Sequence, residues 1–445
     1  MKSIKKLTQT QLIVISFICV ILVGSALLCL PISARSDTPV SYIDALFTAT
    51  SATCVTGLIV ADTYTNWTLF GQIVIITMIQ IGGLGFMTMV SMFSVFSKKQ
   101  IGLAERNLLM QSAGTVRTSG VKALVRRVFL GTAVFEGLGA LLLSIRFIPQ
   151  FGVLKGIYYS VFHSISAFCN AGFDLMGTKE AFSSFTSYTG DILVNLTLIA
   201  LIVIGGIGFF VWNDISKNKL SFKQYELHTK IVLVTSAVLI FGGSLLFYVF
   251  EKDASLSGMN ACEKILASIF GSVSPRTAGF NTVDLSALSD SGSMLTNLLM
   301  LIGGSPGSTA GGIKTTTVAV LFLSLIAAAK KEKDITVFKR SIDNTAVTQA
   351  ASIIFFYLVT LLFAVMALCA LEPFGLKEII FEATSAIATV GATMGITAKL
   401  SVISKIIIVF LMFFGRVGGM SFILMLSERK VYLPLKRPME KILVG

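Results

Sequence analysis

The sequence predicts an all-α membrane protein made of four span, pore loop, span repeats, with eight transmembrane helices and four re-entrant pore helices in pseudo-fourfold symmetry. Of its 445 residues, 54% are hydrophobic and 13% are charged, about half the charged fraction usual in soluble domains. Most of its apolar runs are long enough for a helix to cross a hydrocarbon layer of roughly 30 Å. A glycine-containing segment also recurs four times. The apolar runs are 12–30, 73–96, 193–212, 231–250, 318–329, 351–371 and 406–426.

The placement of charge predicts the topology. The formal net charge is +13, and 24 of the 36 Lys and Arg residues lie in five segments that we assign to one side of the membrane. Segments on the other side hold nine. Since basic residues collect on the cytoplasmic side, both termini and the three long connections are predicted to be cytoplasmic, which requires an even number of spans. The five basic segments are the amino-terminal tail, 98–127, 214–230, 330–345 and 428–441.

Four short segments align without gaps on Gly57, Gly172, Gly279 and Gly391, which are 115, 107 and 112 residues apart. In chain order they read FTATSATCVTG, FHSISAFCNAG, IFGSVSPRTAG and FEATSAIATVG. Each segment has an apolar span before it and another after it. This self-similarity at a nearly constant period predicts a repeat architecture.

A stretch of about ten residues before each glycine is compatible with a helix but is too short to cross the membrane. These stretches are 41–49, 156–166, 262–271 and 376–384. A short helix followed by small, hydroxylated residues is typical of a re-entrant loop that lines a watery cavity. The predicted organisation has repeats at 1–97, 121–213, 229–329 and 345–427, and the third contains an intramembrane gate loop at 303–316. Cytoplasmic connections are predicted at 98–120, 214–228 and 330–344, and a cytoplasmic tail at 428–445.

The residues around the four glycines suit a dehydrated monovalent cation. In a narrow pore, rings of backbone carbonyls can replace the water of the ion. Glycine reaches positive φ without a Cβ clash, and each short helix points its partially negative carboxyl-terminal end at the loop that follows. Because none of the residues just before the glycines is acidic, carbonyls rather than carboxylates are expected to select the ion. The predicted selectivity filter is Val55, Thr56, Gly57, Asn170, Ala171, Gly172, Thr277, Ala278, Gly279, Thr389, Val390 and Gly391.

The second span of the third repeat is interrupted. Segment 301–317 reads LIGGSPGSTAGGIKTTT, and its five glycines and one proline should break a helix. Apolar sequence on both sides places the break inside the membrane, below the filter, where we expect a gate. Arg416 is the one charge in the last span and is costly there unless it faces protein or water. We expect Arg416 to bond carbonyls of loop 303–312, although it could instead snorkel to the interface. The predicted gate residues are Gly303, Gly304, Ser305, Pro306, Gly307, Gly311, Gly312, Lys314 and Arg416.

With these loops, the four-repeat pattern resembles the Trk/Ktr/HKT superfamily of potassium transporters over essentially the whole chain. It is most similar to the KtrB-type membrane subunits of bacterial Ktr potassium uptake systems. In plant members, serine in place of the first filter glycine goes with sodium selectivity, so Gly57 implies K⁺ as the substrate. The resemblance also implies an intramembrane loop in the third repeat and a multi-pass protein of the bacterial plasma membrane. Whether uptake depends on sodium stays open.

The same resemblance implies a homodimer and a cytoplasmic ring of nucleotide-binding, RCK-type regulatory subunits. The ring would dock on a basic surface that includes 98–127, 330–340 and 433–445. Contact with anionic lipid is the other explanation for these charges. We expect no cofactor bound by this chain, no metal besides K⁺ at the filter, and no nucleic acid as a partner.

Two glycine-rich patterns invite other interpretations. Segment 307–315 nearly matches a phosphate-binding loop, but Ile313 is one residue too many and no strand precedes it, so we do not expect nucleotide binding. The GGLGF and GGIGF runs at 82–86 and 205–209 lie inside apolar stretches without a break, and they predict close helix packing or a kink rather than a dinucleotide fold.

Isolated polar residues give weaker signals. Arg276, three residues before Gly279, could repel cations from the pore, or it could point behind the filter and pair with an acid such as Asp284 or Glu382; we favour the second. His163 and His228 have no paired ligands and should be structural. The six scattered cysteines predict neither a zinc site nor a disulfide framework.

Two other classes of function compete with ion conduction. A secondary transporter usually shows inverted or twofold repeats and broken helices in paired positions, whereas this chain shows four repeats of one direction and one broken span. A membrane enzyme would need catalytic groups at membrane depth. Only Glu136, Glu382 and Asp44 come near, without convergent spacing, so we do not expect an enzyme.

Overall fold

The structure is a computed structural model that describes residues 9–35, 40–85, 121–178, 180–219, 221–332 and 334–418. The predicted connection at 98–120 and the tail at 428–445 lie outside this range. The helices are α1 (Gln9–Leu28), α2 (Tyr42–Thr53), α3 (Thr63–Asn66), α4 (Leu69–Leu84), α5 (Val121–Phe151), α6 (Val153–Phe168), α7 (Ile192–Gly206), α8 (Phe209–Asn218), α9 (Leu227–Glu251), α10 (Ala261–Val273), α11 (Asp290–Leu301), α12 (Thr315–Ala329), α13 (Asn344–Leu371), α14 (Leu376–Ile387) and α15 (Val402–Val417). Strands β1 (Ile335–Val337) and β2 (Arg340–Ile342) form an antiparallel hairpin between α12 and α13.

Apolar helices that could cross a membrane occur at regular intervals. Within the described residues, α1, α5, α9 and α13 are long and apolar enough to do so, and α7 with α8 adds a fifth if this bent pair is one span. Helices α4 and α12 are shorter apolar helices. Each of the four long helices is followed by one of the short helices α2, α6, α10 and α14. The chain is therefore helical and multi-pass, and its helices fall into four consecutive units.

The four short helices extend two to four residues beyond the ends expected from the sequence. In α2 the hydroxyls of Thr48 and Thr50 donate to the carbonyls of Asp44 and Leu46, four residues earlier, at 2.8 and 2.7 Å. Bonds of this kind satisfy threonine inside a helix. Hydroxylated residues near the loops therefore stay helical where the sequence suggested that the helix had ended.

The four units close into a ring. The second helix of each unit packs on the short helix of the next: α4 on α6, α7 on α10, α11 on α14, and α15 back on α2. An ion pair between Lys405 on α15 and Asp44 on α2, at 2.7 Å, joins the last unit to the first.

The second helices of three units approach the short helices at a glycine. A Cβ on any of these glycines would overlap a backbone carbonyl oxygen of the short helix in the same unit, so no other residue fits without a shift of the backbone. The glycines and the residues whose carbonyls they face are Gly82 with Thr53, Gly205 with Phe168, and Gly415 with Ile387.

Each of these three second helices ends one or two residues after its contact glycine, and a glycine of positive φ follows. These glycines are Gly85 at 80°, Gly208 at 96° and Gly418 at 86°, and α7 and α8 meet there at 94°. The prediction of close packing or a kink at 82–86 and 205–209 is confirmed. The prediction that only the third repeat has a broken second span is wrong. As shown below, the carbonyls of Gly82, Gly83, Gly205 and Gly206 bond groups outside their own helices.

We expect Gly205→Ala to destabilise the protein by about 1–3 kcal/mol, because the added methyl group must displace the backbone of α6. Thermal unfolding of the detergent-purified protein measures the effect. Gly137→Ala is the matched control, since a Cβ at Gly137 in α5 meets nothing within 4 Å and alanine favours the helix. Equal losses of stability in both variants would contradict the close approach.

Candidate functional site

The four loop glycines meet in a ring. Gly57, Gly172, Gly279 and Gly391 all have positive φ, at 94°, 70°, 77° and 91°. A Cβ on Gly57 would lie 2.5 Å from the Ala171 carbonyl oxygen, and one on Gly172 would lie 2.6 Å from that of Ala278. The sequence of contacts continues with Gly279 against Val390 and closes with Gly391 against Thr56. The carbonyls of four equivalent residues therefore line one closed ring of backbone.

The residue two positions before each glycine also has a left-handed backbone. Val55, Asn170, Thr277 and Thr389 have φ of 56°, 59°, 76° and 52°, and all four are buried. This conformation costs a residue other than glycine roughly 1–2 kcal/mol. Strain repeated at four equivalent positions persists because the surrounding structure fixes the direction of the backbone groups in all four loops.

Serine side chains hold the loops from behind, a feature that the sequence analysis missed. The amides of Gly57 and Gly391 donate to the hydroxyls of Ser51 and Ser385 at 3.0 and 3.1 Å. In the second repeat, the hydroxyl of Ser166 donates to the carbonyl of Phe173 at 2.7 Å. A serine six residues before the glycine in these three repeats was the available signal. In the third repeat, Ser274 stands one position later and donates to the carbonyl of Phe280.

Arg276 points away from the ring, behind the third loop. Its side chain is 8% exposed, and Nη2 lies 3.4 Å from the hydroxyl of Ser236 on α9. The expected pairing with an acid is wrong: Asp284 accepts bonds from Ser286, and Glu382 accepts bonds from two threonines. Among the residues that the structure describes, no carboxylate pairs with Arg276, and its Nε has no partner.

Loop 302–314 packs against the ring. A Cβ on Gly311 would overlap the Thr389 side chain, and one on Gly303 would lie 3.2 Å from Cγ2 of Thr277. Gly303 and Gly311, two of the predicted gate residues, therefore pack against two of the four ring segments. The loop is held by its own backbone, since the amide of Gly303 donates to the carbonyl of Ile313 at 2.9 Å.

The broken second helix of the second unit also holds this loop. The amides of Ser305 and Thr309 donate to the carbonyls of Gly206 and Gly205 at 2.9 and 3.3 Å. The hydroxyl of Thr309 donates to the Phe168 carbonyl at 3.1 Å. The end of α7 therefore bonds the loop instead of continuing as a helix.

Arg416 joins the loop to the first unit. Its guanidinium donates to the carbonyls of Thr309 and Gly82, and to that of Gly83 at 3.2 Å. The expected bond between Arg416 and a carbonyl of loop 303–312 is present. Lys314, at the end of the loop, donates from Nζ to the Ala310 carbonyl at 2.8 Å. Both cations bond backbone oxygens of the loop.

His163 forms hydrogen bonds through both of its ring nitrogens. Nδ1 of His163 lies 2.7 Å from the Tyr159 carbonyl, and Nε2 accepts the amide of Leu175 at 3.0 Å. Within the part of the chain that the structure describes, no group of three or more His, Cys, Asp or Glu residues could hold a metal ion, and all six cysteines are free. His163 therefore has a structural role.

A multi-pass helical protein in which strained backbone segments close around one axis belongs to the class of membrane ion transporters. Residues 3–432 match the family model described as TrkH, cation transport protein. The chain belongs to the TrkH family, which confirms the resemblance to the Trk/Ktr/HKT superfamily. Members of this family transport cations and are not enzymes.

Similar proteins align along almost the full length. The chain is 42% identical to the Ktr system potassium uptake protein B of Bacillus subtilis, over 94% of this chain and 93% of that protein. It is 40% identical to the potassium/sodium uptake protein NtpJ of Enterococcus hirae, over 99% and 98%. The crystal structure of the potassium transporter TrkH from Vibrio parahaemolyticus has the same fold, with a TM-score of 0.74 at 16% identity over 96% of this chain and 86% of that one.

We expect Arg276→Met to leave the protein as stable or to stabilise it by about 1–3 kcal/mol, because a buried cation without a counter-ion is replaced by an apolar side chain of similar length. Thermal unfolding in detergent gives the comparison. Arg146→Met is the control, since Arg146 pairs with Asp191 at 2.5 Å and its loss should cost up to about 1 kcal/mol. A clear loss of stability in Arg276→Met would show that the guanidinium has a favourable partner.

Proposed function

We propose that this chain is the potassium-conducting membrane subunit of a K⁺ uptake system. The closed ring of glycines and equivalent carbonyls is the observation that supports the proposal most directly. Relatives that are 40% and 42% identical over nearly their whole lengths are named as potassium/sodium and potassium uptake proteins. In this proposal the four helical units are four pore repeats with eight spans and four re-entrant loops, and K⁺ is the transported substrate.

The proposed selectivity filter consists of the twelve residues that end at the four glycines. A K⁺ ion that has lost its water would bind peptide oxygens of equivalent residues from all four repeats. The short helices end four to six residues before their glycines, so their partially negative ends lie close to the ring and favour a cation. Side chains that are small or turned away leave the selection to backbone oxygens.

Loop 302–314, with Arg416, is the proposed gate. It lies below Thr277 and Thr389, so an ion leaving the ring on that side must pass it. Arg416 and Lys314 place two positive charges there, and these charges repel a cation until the loop moves. The hydrogen bonds from Arg416 to Thr309, Gly82 and Gly83 hold the closed position.

The proposed regulatory partner is a cytoplasmic RCK-type ring that binds nucleotide, and the proposed assembly is a homodimer with both termini in the cytoplasm. The Bacillus subtilis relative is named as one protein of a Ktr system, which supports a multi-component transporter. The described part of the basic surface includes the start of α5, where Arg126 and Arg127 are exposed, and the β1–β2 hairpin, whose tip exposes Phe338. Phe338 packs edge-on against Phe222, with ring centroids 5.9 Å apart. The segments 98–120 and 433–445 lie outside the described residues.

The experiment for the filter is Gly57→Ser, with uptake of K⁺ and Na⁺ measured in cells that lack their own K⁺ uptake systems and express the chain with its candidate partner. We expect the preference for K⁺ over Na⁺ to fall about tenfold or more, because the Cβ displaces the Ala171 carbonyl. Gly137→Ser is the control at an open helical position. A parent chain that takes up neither ion, or an unchanged ratio in Gly57→Ser, would refute the proposal.

The experiment for the gate is Arg416→Ala in purified protein reconstituted into liposomes. Removing three hydrogen bonds that hold the loop should raise K⁺ flux without the partner by about tenfold or more. Arg416→Lys keeps the charge with fewer bonds and should give an intermediate flux. Flux of the alanine variant equal to that of the parent, at equal amounts of folded protein, would remove Arg416 from the gate.

A further inference from the structure

Glu382 lies behind the loop of the fourth repeat. It is on α14, nine residues before Gly391, and its side chain is 1% exposed. Its two carboxylate oxygens accept bonds from two threonines that follow the ring glycine, Thr393 at 2.7 Å and Thr397 at 2.5 Å. The carboxylate therefore connects the short helix to the outward side of its own loop.

The two threonines form one network with the carboxylate. Their hydroxyls are 2.9 Å apart, and that of Thr393 also accepts the amide of Gly395 at 3.0 Å. Gly395 has a φ of 88°, so the chain turns sharply where the network holds it. Since Thr393 is only two residues from Gly391, any movement of this turn reaches the ring.

The equivalent positions differ among the four repeats. Thr48 donates to the carbonyl of Asp44 in its own helix, and Phe270 is apolar. His163 accepts the amide of Leu175, three residues after Gly172. A polar group at this position thus reaches the loop beyond the glycine in the second and fourth repeats, and the fourth uses a carboxylate.

No cation neutralises this carboxylate among the residues that the structure describes. Arg276, three residues before the ring glycine Gly279, points toward Ser236 and not toward Glu382. Burying a carboxylate whose partners are hydroxyl donors, with no cation, costs folding free energy. The network is the one identifiable reason for an acid at this position.

We propose that Glu382 is a positioning residue that fixes the outer side of the fourth loop, and that the discrimination between K⁺ and Na⁺ depends on its bonds to Thr393 and Thr397. The inference rests on the proposed function and extends it to a group that does not touch the ion. Carbonyls select an ion by the spacing and the number of oxygens that they can hold around it. A turn released beside Gly391 lets the ring contract around a smaller ion.

The test compares four variants by the ratio of K⁺ to Na⁺ uptake, and by the KM and maximal rate for K⁺. Glu382→Gln replaces one of the two accepting carboxylate oxygens with an amide nitrogen, which cannot accept a hydrogen bond. Thr393→Val removes the hydroxyl that donates to Glu382, while Thr393→Ser keeps it. Glu251→Gln is the matched control. Glu251 is 0% exposed and accepts the hydroxyls of Ser255 and Ser289, each at 2.6 Å, at a junction of α9 and α11 away from the ring.

We expect the K⁺ to Na⁺ ratio to fall about tenfold in Glu382→Gln and in Thr393→Val, the change that corresponds to loss of one buried hydrogen bond. Thr393→Ser and Glu251→Gln should keep the parental ratio. If Glu382→Gln fails to fold, the comparison of Thr393→Val with Thr393→Ser tests the inference.

Three results would overturn the inference. One is a parental ratio of K⁺ to Na⁺ uptake in folded Thr393→Val. In that case, a change seen in Glu382→Gln alone would come from the loss of charge and not from the loss of a hydrogen bond. Another is the same fall in Glu251→Gln, which would indicate general destabilisation. The third is a parent chain without selective K⁺ flux, which would refute the proposed function and this inference with it; selective flux in the parent with unchanged variants refutes only the inference.

Discussion

Contact between backbone segments of all four repeats at a single axis is the constraint on which the rest of the structure depends. The loops are so close that a Cβ on one glycine would overlap a carbonyl of the next. Such contact requires glycine at all four positions and a left-handed backbone two residues earlier. Because strained backbone persists only where its surroundings hold it, the serines behind the loops and the buried short helices are part of the same requirement.

The second helices meet a related constraint. To pack on the short helices they need Gly82, Gly205 and Gly415, and after these contacts they stop. The carbonyls left free at the end of a helix must find donors when they are buried. Arg416 supplies donors in the first unit, and the amides of Ser305 and Thr309 supply them in the second. Helix ends in two units therefore hold a loop that belongs to a third.

Much of this could be predicted from the sequence, because the repeat is visible in the spacing of glycines and the spans in apolar runs. The loop in the third repeat was equally clear from Pro306 and its neighbouring glycines. The bend of 94° between α7 and α8 could be predicted only as one of two alternatives, since the surrounding residues are apolar and a glycine in a helix can also be a packing site. The predicted partner of Arg276 was wrong, because proximity in sequence gives no information on which hydroxyl groups already donate hydrogen bonds to an acid.

The third repeat differs from the others in a way that explains why the loop is found there. Helix α11 ends at Leu301, 22 residues after Gly279, whereas α4 ends 27 residues after Gly57 and α15 ends 26 after Gly391. The chain therefore turns beneath the ring before it reaches the level where the other second helices make their glycine contacts. A ring of four identical subunits would have to place such a loop four times around one axis. Four repeats in one chain remove this restriction, because one repeat can supply the loop while its neighbours supply the oxygens and the arginine that hold it.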